Sequence, residues 1–130
     1  MNTASAAGLL AAIGSGPYTV TKYGMSMLTI SMAEEFKRQN IAVNSLWPQT
    51  VISTAAVEFE GGGKSTLEKG RLPIIMADAA YEIITTDNCK LTGQHLIDET
   101  ILRERGVNDF EKYRYLKDSD KKLMTDLFIA

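Results

Sequence analysis

Residues 41–48 read Ile41-Ala42-Val43-Asn44-Ser45-Leu46-Trp47-Pro48, an apolar run of strand length that stops at a proline. Upstream, Pro17 stands where a helix can start. Val20, Met25, Met27, Leu28, Ile30, Met32 and Phe36 then recur at roughly helical spacing as far as Arg38. Gln39-Asn40 ends that helix, so the order is helix, tight turn, buried strand. Downstream, Ile74 to Thr85 fits a second helix with Ile74, Ile75, Ala79, Ala80, Ile83 and Ile84 facing inward. Thr92-Gly93-Gln94-His95-Leu96-Ile97-Asp98 fits a second strand. Helix, strand, loop, helix, strand is the grammar of an α/β fold with a parallel sheet.

Between the two halves of that pattern, Gln49 to Gly70 carries Thr, Ser and Gly clusters around Gly61-Gly62-Gly63, which predicts a mobile loop with a short helix near Thr54 to Phe59. Gly61-Gly62-Gly63-Lys64-Ser65-Thr66 is not a phosphate-binding loop, because Glu58 stands where that pattern needs a glycine and no strand precedes it. The stretch from Arg103 to Ala130 is charged and poor in apolar residues, and is expected on the surface or partly mobile. Residues 1–100 are therefore read as the folded segment and 101–130 as a charged tail. At the other end, Asn2-Thr3-Ala4-Ser5-Ala6-Ala7-Gly8 looks like a strand's end entering a loop with almost no strand before it. Two buried strands alone would make a poor sheet.

Composition narrows the classes. At 130 residues with 45% apolar content, the chain suffices for one core. A net charge of −2 gives no reason to expect nucleic acid or a membrane surface as partner. Cys89 is the only cysteine, so no internal disulfide can form and a reducing, intracellular compartment is the default expectation. With a single histidine, His95, in a strand pattern, a packing role outweighs metal ligation and no metal is expected. The apolar stretch Ala6 to Ile13 is broken by Gly8 and falls far short of the ~20 residues of a membrane span, which suits a soluble protein.

The chemistry lies at Tyr18 and Lys22, four residues apart and so stacked on one helix face. A tyrosine, with an ordinary pKa of about 10, is a poor acid or base near neutrality, but a neighbouring ammonium favours its phenolate. Tyr113 and Lys117 share the spacing, so spacing alone is weak. Tyr18 is distinguished by Ser5, thirteen residues earlier in a Ser-Ala-Ala-Gly turn; thirteen residues before Tyr113 stands Thr100, with no glycine turn.

Asn2 to Gly8, then Tyr18-Thr19-Val20-Thr21-Lys22, then Ile41 to Pro48 together resemble, in order and spacing, the second half of the short-chain dehydrogenase/reductases. The resemblance extends to about Asp98. The wording at Tyr23-Gly24-Met25-Ser26-Met27, Met32 to Lys37, Trp47-Pro48 and Ala77 to Tyr81 is similar to the hydroxysteroid dehydrogenase-like subgroup. The resemblance implies the carboxy-terminal half of a Rossmann-like, doubly wound parallel sheet, truncated at its amino terminus. It also implies an NAD(P)-dependent oxidoreductase segment that interconverts a carbonyl and an alcohol on a small molecule. Carried over, Ser5 binds the substrate carbonyl, Tyr18 donates or accepts the proton, and Lys22 supports Tyr18 and holds the nicotinamide ribose. After Pro48 the main chain near Val51 meets the nicotinamide carboxamide, and Thr54 or Ser53 reaches the cofactor phosphate. Pro48-Gln49 departs from the family's usual Pro-Gly. The helix Pro17 to Arg38 is the family's subunit-contact helix, implying a homo-oligomer. The glycine-rich dinucleotide turn of the family is not in this sequence, so the chain alone is expected to be inactive. The rival expectation is a non-enzymatic fragment or dimerisation module. Phe128-Ile129-Ala130 is not a peroxisomal address, and compartments within the cell stay open.

Overall fold

Ser45, Leu46 and Trp47 are all buried, as a strand flanked on both edges and faces must be. The computed structural model describes residues 2–3, 16–60, 62–87 and 90–126. In it β2 (Ser45–Trp47) runs between β1 (Asn2–Thr3) and β3 (His95–Ile97), all three parallel, in the order β1-β2-β3. Ser45 is level with Asn2 and His95, and Trp47 with Ile97. Residues 2–3 thus supply the third strand that the sequence left uncertain, and the fold is α/β with a parallel sheet, as expected. Only 95–97 of the expected strand Thr92 to Asp98 joins the ladder, and Asp98 opens a helix.

The first helix, α1 (Gly16–Glu35), gives way to a 3-10 turn at Lys37–Gln39. Asn40 closes it in the left-handed region at φ 58° and donates its N–H to Lys37 O. The face it buries is made of small residues. Ser26, Thr29 and Ala33 are buried, whereas Val20, Met27, Leu28 and Ile30 are exposed, Val20 by 72%. Two of the three buried residues are hydroxylic, yet both hydroxyls are spent inside the helix: Ser26 Oγ donates to Lys22 O at 3.1 Å and Thr29 Oγ1 to Met25 O at 2.9 Å. Small side chains that satisfy themselves let a helix lie close to its neighbours, and Val20, Met27, Leu28 and Ile30, which mark the helix by their spacing, stay on its outer side.

Segment 49–70, expected as a mobile loop with a short helix near Thr54 to Phe59, holds that helix as α2 (Ala55–Glu60) and a further one, α3 (Lys64–Leu67). Isolated bridges stitch its flanks together: Thr50 with Thr125, Ile52 with Arg71, and Arg71 with Arg114. Gly70 is required here. A Cβ at that position would lie 2.8 Å from Val51 O and closer still to Ser53 Oγ.

The main core comprises Leu46, Ile75, Ala79, Ile83, Ile101, Leu102, Phe110 and Tyr113. Ile75, Ala79 and Ile83 form one i, i+4, i+8 stripe on α4 (Ile74–Ile84); Ile74 and Ile84, also expected inside, stand about 100° away around the helix and are exposed. Ile101 and Leu102 belong to α5 (Asp98–Glu104), and Phe110 and Tyr113 lie beyond it, beside and within a 3-10 turn at Glu111–Tyr113. The expected surface tail therefore contributes two aromatic residues to the core. The Tyr113 hydroxyl donates to Asp78 Oδ2 at 2.6 Å; burial, then this bond, raises its pKa. Among the described residues, no helix is long and apolar enough to cross a membrane.

Candidate active site

In a parallel sheet each connecting helix runs back against its strands, so α1 carries the chain from the carboxyl end of β1 to the amino end of β2. Its first turn, the segment leaving β2 at Pro48 and the start of α5 all lie at the carboxyl edge of the sheet. In open α/β sheets that edge is where ligands bind.

Tyr18 is in the first turn of α1 and 46% exposed; Lys22 follows one turn later, with its Nζ 5.5 Å from the centre of the Tyr18 ring. Thr21 Oγ1 donates to Tyr18 O at 2.7 Å and Ser26 Oγ to Lys22 O, tying both carriers to the helix. The helix thus brings a phenol and an ammonium together at the sheet's ligand-facing edge. Ser5 lies outside the described residues, as does Cys89.

After β2 the chain passes Pro48 and Gln49 and runs extended to Thr54, with its polar groups strictly divided. Gln49 O accepts from Asp126 N at 3.1 Å, Val51 N donates to Met124 O at 2.9 Å, Val51 O accepts from Arg71 N at 2.9 Å, and Ser53 N donates to Arg71 O at 2.8 Å. Ser53 Oγ, also buried, donates to Leu67 O at 2.7 Å. The odd positions therefore face residues 67–71 and 124–126, with the Gln49 N–H turned to Asp98 on the same edge. Both polar main-chain groups of Val51, and the hydroxyl of Ser53, are bonded to protein. Among the described residues, no hydrogen bond reaches the main-chain N–H or C=O of Ile52, and Thr54 is exposed.

Asp98 was read only as a strand's last residue, with no role of its own. It is wholly buried. Its Oδ1 accepts the Gln49 N–H at 2.8 Å and the Glu99 N–H at 2.6 Å, while Oδ2 has no partner among the described residues. Burial pushes its pKa from 3.8 up to about 6, against the lowering effect of both N–H groups and of Arg71. Glu99 takes Arg71 Nη1 and, at 2.6 Å, Arg103 Nη2. Burial raises Glu99, but the hydrogen bonds from Arg103 and Arg71 outweigh it and hold the carboxyl below its usual range. The signal in the sequence was two adjacent acids after an apolar run, where a helix amino terminus favours negative charge.

His95 packs, as expected. Its ring stacks on Trp47 with centroids 5.0 Å apart, its Nδ1 lies 2.5 Å from Ser45 Oγ, and burial lowers its pKa. Asn44 acts structurally, donating to Leu91 O and accepting from Gln94 N. Among the described residues, no three His, Cys, Asp or Glu side chains gather as a metal site would require. A cleft of about 240 Å³ is lined by Gln94 to Ile97, Thr100, Ile101 and Glu104, and by none of the carried-over site residues.

The short chain dehydrogenase family profile matches residues 1–61. Hydroxysteroid dehydrogenase-like protein 2 of Danio rerio is 46% identical over 112 residues, 86% of this chain and 26% of that protein. A crystal structure of a short chain dehydrogenase from Mycobacterium thermoresistibile is 34% identical, with a TM-score of 0.76 over 93% of this chain and 44% of its own. 4-Hydroxyisoleucine dehydrogenase complexed with NADH is 31% identical, with a TM-score of 0.58 over 74% of this chain and 42% of its own. The chain spans about a quarter of the length of the curated relatives it matches. On these matches and on its parallel α/β sheet, the chain belongs to the short-chain dehydrogenase/reductase family.

Proposed function

We propose that this chain is the proton-transfer and substrate-facing segment of an NAD(P)-dependent oxidoreductase that interconverts a carbonyl and an alcohol. The observation that carries the proposal is Lys22 Nζ beside the Tyr18 ring at the carboxyl edge of a parallel sheet. The NADH held by a structural relative supports a nicotinamide dinucleotide as cofactor.

The residues present suit the nicotinamide end of such a cofactor, whose chemistry is the delivery or removal of hydride at the substrate carbon. The main-chain N–H and C=O of Ile52 form a donor–acceptor pair that complements a primary carboxamide, and no group among the described residues engages them. Val51, the carried-over position, is spent on Met124 and Arg71, and Ser53 on Leu67. One reading accommodates both: contacts past Pro48-Gln49 are displaced by one residue, so Ile52 replaces Val51 and the exposed Thr54 hydroxyl serves instead of Ser53. Tyr18 Oη gives its proton to the carbonyl oxygen in reduction and takes it from the hydroxyl in oxidation. The positive charge of Lys22 offsets the negative charge that develops on the phenol oxygen. Ser5 holds the same substrate oxygen. No glycine-rich turn for the pyrophosphate is found in the sequence, so the 130 residues alone turn over no substrate.

The test uses nicotinamide mononucleotide, which carries the nicotinamide half without the pyrophosphate bridge. Titrated into the labelled chain, it shifts amide resonances of Tyr18, Lys22, Ile52 and Thr54 with a Kd of about 1 mM. Absence of shifts at ten times that concentration, or shifts confined to other residues, overturns the reading. A second reading, a non-enzymatic association module, is favoured by one observation: the exposed Val20, Met27, Leu28 and Ile30 of α1. It predicts a dimer by sedimentation without any nucleotide response.

A further inference from the structure

The ladder between β2 and β3 ends at Trp47 and Ile97; since Ser45 N–H donates to Gln94 O, every second residue of β2 gives its N–H toward β3, and the next donor after Trp47 is Gln49, just past Pro48. Level with Pro48 across the ladder is Asp98, and its side chain continues what the main chain cannot: Oδ1 accepts the Gln49 N–H at 2.8 Å. The other side of the Gln49 peptide is fixed by Asp126, whose N–H bonds Gln49 O. With both ends of that residue held, the alternation of the following extended segment is set. Gln49 gives its N–H to Asp98 and its C=O to Asp126, Val51 and Ser53 turn their polar groups toward 67–71 and 124, and Ile52 turns its own away.

We infer that Asp98 is a positioning residue for the nicotinamide contact: by holding the Gln49 N–H it selects which edge of residues 50–54 stays unbonded and open to a carboxamide. This rests on the reading of Ile52 and Thr54 given above. Asp98 touches neither cofactor nor substrate. Its burial and the duties of its two oxygens fit the role. A carboxylate kept wholly from water, with Oδ1 accepting two N–H groups and Oδ2 none, is costly to maintain for packing alone.

The experiment compares Asp98→Asn, which keeps an oxygen acceptor of the same reach, with Asp98→Ala, which removes it. Amide exchange in the full 130-residue chain is the primary readout. In Asp98→Ala, the Gln49 and Val51 amides exchange at least about tenfold faster while those of Ala79 and Ile83 change by less than about threefold. Asp98→Asn stays close to the parent at all four. If Asp98→Ala does not fold, Asp98→Ser, whose hydroxyl is too short to span the same gap, gives the same comparison. An unchanged Gln49 amide overturns the inference, as does equal acceleration throughout the chain, which marks a merely structural role. Nicotinamide mononucleotide supplies the second readout: its shifts at Ile52 and Thr54 need about tenfold more ligand in Asp98→Ala than in Asp98→Asn. Equal ligand requirements in the two variants also overturn it. If the parent shows no nucleotide shifts, it is the reading of Ile52 that has failed, and exchange alone decides whether Asp98 sets the edge.

Discussion

Raising the pH from 4 to 8 should cost this protein stability through Asp98, and the size follows from the structure. Asp98 binds its proton more tightly folded than unfolded, with a pKa of about 6 against 3.8. A raised acid stabilises the fold fully below its unfolded value and loses that contribution as the pH climbs through the folded value. The gap of about 2 units corresponds to about 3 kcal/mol, lost mostly between pH 4 and 6 and complete by about pH 7. Burial is the leading cause, and the charges that oppose it come from two elements: Arg71 on the segment after α3 favours the anion, and Glu99 on α5 disfavours it. Glu99 and Glu68 have lowered values and pull the opposite way, so the raw pH profile mixes signs. Subtraction against Asp98→Asn isolates the wanted contribution. Urea unfolding followed by circular dichroism at unit pH steps should show parent stability falling relative to Asp98→Asn by about 3 kcal/mol over that range. Parallel profiles in the two proteins would refute the argument that a dry, half-bonded carboxylate sits at the end of β3.

Three further outcomes are expected. Tyr113→Phe strips Asp78 of a 2.6 Å hydrogen bond at the edge of the core and should cost about 1–2 kcal/mol in chemical denaturation. Gly70→Ala sets a methyl group against Val51 O and Ser53 Oγ; about 1–3 kcal/mol of destabilisation is expected, with faster exchange at Ser53 as the local sign. Replacing exposed Val20 and Leu28 with lysine should leave unfolding within about 0.5 kcal/mol of the parent, and should abolish self-association seen by sedimentation if α1 is the contact helix.

The parts of this fold legible in the sequence are those in which one physical effect dominates. The β2 strand shows as an unbroken apolar run ended by proline, and α4 as an apolar helix whose true stripe, Ile75, Ala79 and Ile83, was among the residues named. The Tyr18–Lys22 pair was found by helical spacing together with Ser5 thirteen residues upstream, which told it from the equally spaced Tyr113 and Lys117. The buried face of α1 was not legible, because hydropathy cannot register that Ser26 and Thr29 satisfy their hydroxyls on their own helix. Asp98 and Arg71 were missed for a related reason: a charged residue reads as surface until its partners are known. Those partners, Gln49 and Glu99, are 49 and 28 residues distant in sequence. Phe110 and Tyr113 were hidden among charges, although two aromatic rings can anchor a stretch that is otherwise hydrophilic.

The pairing of Thr50 with Thr125 also bears on the timing of synthesis. A ribosome emits the chain in order, so the segment after Pro48 is made long before the strand that bonds its Gln49 and Val51. At about 5–20 residues per second, the intervening 75 or so residues take roughly 4–15 s. Throughout that interval Gln49 O and Val51 N, which wait for Asp126 and Met124, can be captured by another nascent chain or by a chaperone. Premature termination anywhere before Met124 would leave those two groups permanently unsealed, and the shortened product would be a natural target for quality-control proteases.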